Sequence, residues 1–390
     1  MPLFTPPPSY ANLSLPGSWD TAWRNAKAAS GSSTYWMTAL GDSFTEGMVA
    51  TDYLNLGWWG LLRANILARG YGLYADYWPT TNCAFFGYTN TWAGTAPWVI
   101  NSGAAANQLW QLWGLTWTST WPAAATVSDL LTFTTPYACT TLAIIYYDYA
   151  IGTFSYNVDG GAAQTITCAG SGQLKLTTAG LAGLANTAHT IHFTAQSAGN
   201  VLCVQGVQTI KTSGGPGLAF ANCAVGGDQV ANHVGTAGQP ADRIILWQGW
   251  TASGTPTGFG FPTQPSLAII SFGLNDVGNG KPLEQYQAGL DRMVRAFQRG
   301  QGQCSVLFVI HSLGDGVSSD AGGNEATGQA WSLYCKAVYD VAALRGCGVA
   351  DFSQKWGMYP STNGLIDITK ANHPTNAGHA DIAALLETIL

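Results

Sequence analysis

The sequence predicts an α/β fold: a mostly parallel sheet covered by helices on both faces, with an all-β module inserted into it. Three observations carry this expectation. Five apolar runs bounded by turn residues, Tyr35–Leu40, Leu218–Ala224, Leu267–Phe272, Val306–Ile310 and Gly348–Phe352, have the unbroken hydrophobicity of strands buried on both faces. Helical patterns at Leu54–Gly70, Leu283–Gln298, Thr327–Arg345 and Asn376–Leu390 alternate with those runs, as parallel strands require. From about residue 125 to 211 the pattern changes to short segments separated by Gly, Asn and Asp turns, with no helical stretch among them.

In chain order, residues 1–33 are rich in Pro, Ser and Ala and read as an N-terminal arm. Tyr35–Leu40 closes on Gly41-Asp42-Ser43, a strand running into a turn. Leu54–Gly70 stops at Arg69-Gly70, a plausible helix end. In the inserted region Leu130–Phe133, Thr141–Tyr147, Thr153–Val158, Gln164–Thr167, His189–Thr194 and Val201–Val207 read as strands of a sandwich. Asp159-Gly160-Gly161 reads as its hairpin turn, because Gly tolerates positive φ. The expected boundaries are an arm at 1–33, a first α/β part at 34–90, a Trp-rich junction with the β-module at 91–212, and a second α/β part at 213–390. Trp92, Trp98, Trp110, Trp113, Trp117 and Trp121 crowd the junction. Such rings stack on sugars or line an acyl pocket. Packing between the two parts explains them equally well, since Trp110, Trp113 and Trp117 also fit helical spacing.

Composition excludes several classes. A 47% hydrophobic and 9% charged chain is too apolar for disorder. No apolar run reaches the roughly 18 residues of a membrane helix, so no membrane span is expected. The net charge is −6, and no Lys or Arg occurs between Arg69 and Lys175, which leaves no basic stripe for nucleic acid. None of the eight cysteines forms a C-x-x-C pair, so neither a zinc site nor a redox motif is visible. Cys223 and Cys304 read as buried thiols, while Cys139, Cys168 and Cys203 fall in one region and leave pairing open. The first residues lack the basic and apolar regions of a secretory signal. Sixteen Trp, 48 Gly and few charges nevertheless suit an extracellular or virion-associated protein. A phage tail protein, alone or as a homo-oligomer, reconciles the two, because it reaches the outside without a signal.

Acyl transfer needs an exposed nucleophile, a base within hydrogen-bond reach and donors for the developing oxyanion. Open α/β sheets collect such groups at the carboxyl ends of their strands. Four strand ends carry candidates. Ser43 in Gly41-Asp42-Ser43-Phe44-Thr45-Glu46-Gly47 presents a hydroxyl and its own N–H, although a capping Ser reads the same way. Gly227 in Asn222-Cys223-Ala224-Val225-Gly226-Gly227-Asp228 permits close approach of its N–H, or is an ordinary tight-turn glycine. Asn275 in Gly273-Leu274-Asn275-Asp276 offers a side-chain donor, or begins a turn. His373 in His373-Pro374-Thr375-Asn376-Ala377-Gly378-His379 suits a base entering from a loop, whereas His379 reads as a helix-surface residue.

Taken together and in this order, the four segments resemble the SGNH (GDSL-type) hydrolase family, whose blocks carry Ser, Gly, Asn and His. The resemblance covers roughly residues 34–75 and 215–390. It implies a flavodoxin-like three-layer α/β/α domain, here with an inserted jelly-roll-like sandwich, and ester hydrolysis without metal or cofactor. It makes Ser43 the nucleophile and His373 its base, with Ser43, Gly227 and Asn275 forming the oxyanion hole. The G-x-S-x-G elbow of α/β-hydrolases is absent.

Two departures stand out. The inserted module separates the first two blocks. The family's acid sits three residues before the base, where this chain has Lys370, and the nearest upstream acid is Asp367. Either Asp367 reaches the base across a longer loop, or a backbone carbonyl takes its place. Some relatives that deacetylate polysaccharides or peptidoglycan also carry a carbohydrate-binding-like β-sandwich. The expected function is therefore hydrolysis of O-acyl, above all O-acetyl, esters on a cell-envelope or other polysaccharide; a lipid ester stays open. The rivals are a non-catalytic glycan-binding protein and a structural virion component.

Overall fold

A computed structural model of the chain describes residues 13–79, 97–100, 117–118, 127–148, 151–169, 173–195, 201–202, 204–211, 215–224, 226–230, 265–298, 304–313, 330–357, 360–370 and 372–390. The α/β part comprises, in chain order, α1 (Thr21–Ala29), β1 (Tyr35–Gly41), α2 (Ser43–Glu46), α3 (Trp58–Ala68), β2 (Leu73–Pro79), β3 (Leu218–Asn222), β4 (Leu267–Ser271), α4 (Leu274–Gly278), α5 (Leu283–Gln298), β5 (Ser305–Ile310), α6 (Trp331–Arg345), β6 (Gly348–Asp351), α7 (Phe352–Trp356) and α8 (Asn376–Ile389). The spatial order is β6-β5-β4-β1-β3-β2, every neighbouring pair parallel.

Successive residues of a strand point to opposite faces, and both faces here are covered. Leu267 and Ile269 of β4, with Leu307 and Val309 of β5, pack with Trp58, Leu62, Ile382 and Leu386 from α3 and α8. Ala268 and Ile270, with Phe308 and Ile310, pack with Tyr286, Leu290, Met293, Trp331 and Tyr334 from α5 and α6. This double coverage is why the strands read as unbroken apolar runs. The buried positions of α5, Tyr286, Gly289, Leu290, Met293, Val294, Ala296 and Phe297, follow the i, i+3, i+4 spacing of one helix face.

Residues 13–33 differ from the expected arm. Leu13 and Ser14 pair antiparallel with Ala350 and Val349 at the sheet edge. Trp23 is fully buried, with its ring N–H donating to Leu390 O and its backbone N–H to Ser305 Oγ. Two tryptophans, Trp19 and Trp23, supply enough apolar surface to hold a segment otherwise poor in hydrophobic residues.

The inserted strands form two layers. One is a separate sheet in the order Trp98–Ile100, Val127–Thr134, Thr190–Ala195, Ile151–Val158, Gln164–Ala169. The other continues the central sheet: Val204–Ile210 pairs antiparallel with β2 on one side and with Cys139–Asp148 on the other. Gln173–Thr177 and Ala182–Thr187 also pair with Cys139–Asp148. Phe133, Phe154, Tyr156, Ile191 and Phe193 of the first layer pack on Leu142, Ile144, Tyr146, Val204 and Val207 of the second. Asp159 and Gly160, at φ 52° and 71°, make the expected hairpin turn. Of the junction tryptophans, Trp98 is core, its ring 4.7 Å from Phe133. The side chain of Trp117, and Trp92, Trp110, Trp113 and Trp121 altogether, lie outside the described residues. Cys139, Cys168, Cys223 and Cys304 are free thiols, the first two and Cys304 buried and Cys223 half-buried, and Cys203 lies outside the described residues.

Candidate active site

β1 delivers Ser43. Gly41 ends the strand where no side chain fits, since a Cβ there would collide with the Thr45 side chain and lie 2.5 Å from Ser271 O. Asp42 caps α2 by accepting the Phe44 N–H at 3.0 Å. Ser43 thus takes the first helical position, where a backbone N–H has no intrahelical acceptor. Gly47, at φ 100°, closes the turn.

His373 arrives from the other end of the chain, in the short strand His373–Pro374 ahead of α8. Its Nε2 lies 2.6 Å from Ser43 Oγ, and both residues are buried. A hydroxyl and an imidazole nitrogen at this distance are placed for proton transfer.

The other two segments close around this pair. After β3, the Asn222 side chain donates to Thr45 O at 3.1 Å, and Gly226 N–H donates to Glu46 Oε2 at 2.7 Å. Gly227 follows at φ 79°, a conformation that favours glycine. After β4, Gly273 turns at φ 136° under the ring of Trp331. Asn275 Nδ2 then donates to Asp228 O at 3.1 Å, and the Asp276 carboxylate accepts Val230 N–H at 3.1 and 3.3 Å. The Gly227 loop is therefore tied to α2 on one side and to α4 on the other.

Buried acids gather at these loops, Asp42, Glu46, Asp228 and Asp276 among them. Burial, reinforced by Asp276 and Asp228, raises Asp42 well above the carboxylate range. Burial likewise lifts Asp276 to about 7, against the Val230 hydrogen bond. His311, at the end of β5, was not among the sequence candidates. It is 1% exposed, packs edge-on against Phe44 at 3.9 Å and lies 3.3 Å from Ser271 Oγ. Burial, with the nearby His373, lowers its pKa to about 3, so it is neutral and links the Ser43 turn to the strand that leads to Asn275. Its position directly after an apolar run is the same signal that marked the other strand ends.

Asp367 stands opposite His373. Ile366–Asp367 and His373–Pro374 form a two-residue antiparallel ladder, with Asp367 paired to His373 and Ile366 to Pro374. The Asp367 carboxylate accepts from Thr369 N–H at 2.9 Å and Thr369 Oγ–H at 2.6 Å. The Lys370 side chain lies outside the described residues.

His379 is not the surface residue expected from its place in the helix. It is fully buried, between Met48 O at 3.1 Å and Trp58 N–H at 3.3 Å. The face of α8 that turns inward is set by α3, which covers it, and a sequence pattern in a helix rich in Ala does not reveal that. Among the described residues no group of three or more His, Cys, Asp or Glu is arranged to hold a metal ion, and no helix is long and apolar enough to cross a membrane.

Residues 210–380 match the GDSL-like Lipase/Acylhydrolase family model, a stretch that contains Gly227, Asn275 and His373 but begins at the end of the last inserted strand and so omits Ser43. No curated protein matches the chain. A solved peptidoglycan O-acetylesterase superposes with a TM-score of 0.57 at 14% identity, covering 97% of this chain and 98% of that one. A Corynascus thermopiles (Myceliophthora fergusii) carbohydrate esterase family 2 enzyme with a carbohydrate-binding domain gives 0.32 at 14% identity, over 81% and 98%. A lipase/acylhydrolase from Enterococcus faecalis gives 0.32 at 16%, over 44% and 75%. The family match over the second half and the superposition over nearly the whole chain together support an SGNH/GDSL-type hydrolase fold for this protein.

Proposed function

We propose that this chain is a serine esterase that hydrolyses O-acyl esters, principally O-acetyl, on a cell-envelope or other polysaccharide. The observation that carries the reading is the 2.6 Å contact between Ser43 Oγ and His373 Nε2 at the carboxyl end of a parallel sheet. In the proposed reaction His373 takes the Ser43 proton as Oγ attacks the ester carbonyl. The N–H groups of Ser43 and Gly227 and the second amide hydrogen of Asn275 receive the oxyanion. The protonated His373 then returns its proton to the leaving sugar hydroxyl, and water, activated by the same imidazole, releases the acid from the acyl-serine. Asp367 orients the imidazole.

A flavodoxin-like domain is supported by the strand order once β2 is set aside as an addition to it. The two packed β-layers suit a jelly-roll-like, glycan-gripping module on a phage tail or other surface protein. The peptidoglycan O-acetylesterase that superposes over nearly the whole chain favours an acetylated envelope glycan as substrate.

The test is acetate release from O-acetylated peptidoglycan and other acetylated polysaccharides, with p-nitrophenyl acetate as a small control ester. Ser43→Ala is expected to abolish both, a loss of about 10⁴-fold or more. Turnover by Ser43→Ala at the wild-type rate would remove the assignment. A wild-type chain that binds glycan without releasing acid would leave a binding protein in its place.

A further inference from the structure

Ser43 and His373 are joined by their own hydrogen bond and, independently, through the segments that carry them. The Ser43 carbonyl accepts Gly47 N–H at 3.2 Å and Met48 N–H at 2.9 Å, so the residues after α2 are latched to the nucleophile's own peptide. The chain then passes through Val49 at φ 74°. A β-branched residue adopts that left-handed conformation only where its surroundings impose it.

The first turn of α8 grips the chain on both sides of Val49. His379 Nε2–H donates to Met48 O at 3.1 Å, and His379 Nδ1 accepts Trp58 N–H at 3.3 Å. Asn376 Oδ1 accepts Thr51 N–H, and Asn376 Nδ2 donates to Thr51 Oγ1, both at 3.0 Å. One carbonyl and one N–H facing the imidazole are satisfied together by the neutral tautomer protonated at Nε2. Burial holds the ring in that form, with its pKa near 4. His373 lies three residues before Asn376, and Thr375 between them caps α8. The turn that grips the 48–51 segment is thus continuous with the one that presents the base.

We propose that His379 is a positioning residue for the Ser43–His373 pair, holding the base-bearing turn, together with Asn376, against the strained segment that follows the nucleophile. This rests on the esterase reading and deepens it. His379 contacts Met48 O and Trp58 N–H. It acts by fixing the separation across which the proton moves, and a misplacement of about 1 Å in such a pair costs about 100-fold in rate.

The experiment measures the rate at which a fluorophosphonate labels Ser43, with kcat and KM on p-nitrophenyl acetate, in wild type, His379→Phe, His379→Gln and Asn376→Ala. Thermal unfolding gives the folded fraction of each. His379→Phe is expected to slow labelling and kcat by about 10- to 100-fold, with KM within about twofold. His379→Gln keeps one donor and one acceptor and is expected to retain most of the rate. Asn376→Ala alters an exposed residue, stays folded and is expected to lose about threefold, as one of the two attachments is released. A residue needed only for stability would lower the unfolding temperature without slowing labelling of the folded fraction. Native labelling by folded His379→Phe overturns the proposal; should that variant not fold, native labelling by Asn376→Ala does so. Failure of the wild-type chain to label at Ser43 overturns the esterase reading and this proposal with it, whereas equal labelling of wild type and variants overturns this proposal alone.

Discussion

The extra length between Asp367 and His373 is taken up by the 3-10 turn Ile368–Lys370 and by Asn372 at φ 60°. These residues fold back so that Asp367 and His373 become partners across a ladder, and residues directly opposite in an antiparallel pair project to the same face. The ladder therefore sets Asp367 beside His373 in spite of the six-residue separation. Thr369 holds the Asp367 carboxylate through Oδ1, which leaves Oδ2 as the oxygen to receive the imidazole N–H in the proposed triad. Asp367→Asn is accordingly expected to keep the fold and lower kcat by up to about 10⁴-fold, the cost of a wrong tautomer in a Ser-His-Asp triad. Lys370→Ala should be mild, because an ammonium has only donors to offer an imidazole N–H. Near-normal turnover in Asp367→Asn, with His373→Ala inactive, would make the site a dyad supported by a backbone carbonyl. Ser43, Gly227, Asn275 and His373 were legible in the sequence because each follows a run or loop whose turn chemistry is local. His379 and Asp276 were not, because their roles depend on which distant backbone group they meet.

At the scale of elements, the buried strands and α5 match their sequence-based bounds closely, since coverage on both faces or on one stripe writes itself into hydropathy. β2 was missed. Its Leu73–Pro79 stretch mixes Asp76 with Tyr and Trp, and Asp76 is tolerated there only because Arg63 reaches it from α3 at 2.8 Å. Ala182–Thr187 was missed for a related reason: exposed Ala, Gly and Thr carry little period. One element of the sandwich has a pH signature. His189 is 3% exposed; Nδ1 faces the Asp159 carboxylate at 2.7 Å, and Nε2 faces Ala185 O at 2.8 Å and Cys139 O at 3.2 Å. Acceptors on both sides are satisfied only by the imidazolium. Burial pulls its pKa down, but hydrogen bonds to Asp159, Ala185 O and Cys139 O outweigh it and raise the value above 6.5. The stabilisation is therefore complete below the unfolded value of about 6.5 and is lost as pH rises through the folded one. Asp159 itself, with its pKa lowered, keeps the pair intact until pH falls well into the acid range. Thermal unfolding followed against pH should show wild type losing its advantage over His189→Gln as pH rises through that window. A constant difference between the two across the window would mean that folding leaves the imidazole's pKa unchanged.

At the scale of the molecule, the inserted β-module and the α/β part share one sheet. Val204–Ile210 continues it from β2, with Gln208 opposite Tyr77 and Ile210 opposite Ala75. Behind this seam, Trp78 of β2 belongs to the sandwich core, its ring N–H donating to Thr209 Oγ1 at 3.2 Å. The Arg63 guanidinium lies over the Trp78 ring at 4.4 Å while pairing with buried Asp76. Burial pushes the Asp76 carboxyl up to about 7 even with Arg63 beside it, so the arginine is what makes a charge tolerable at the seam. Removing residues 91–212 would strip β2 of its antiparallel neighbour, expose Trp78 and leave an unpaired edge one strand away from β1, which leads to Ser43. Separable modules unfold in separate transitions, whereas parts sharing a sheet and a core are expected to unfold together. Calorimetry of the full chain is therefore expected to show a single transition. Arg63→Met, which leaves Asp76 buried without its partner, should lower that transition as a whole by about 3–5 kcal/mol, the cost of breaking a buried ion pair from one side. Two resolved transitions, with Arg63→Met moving only the one assigned to the β-module, would instead mean that the module folds by itself and that the seam carries no coupling.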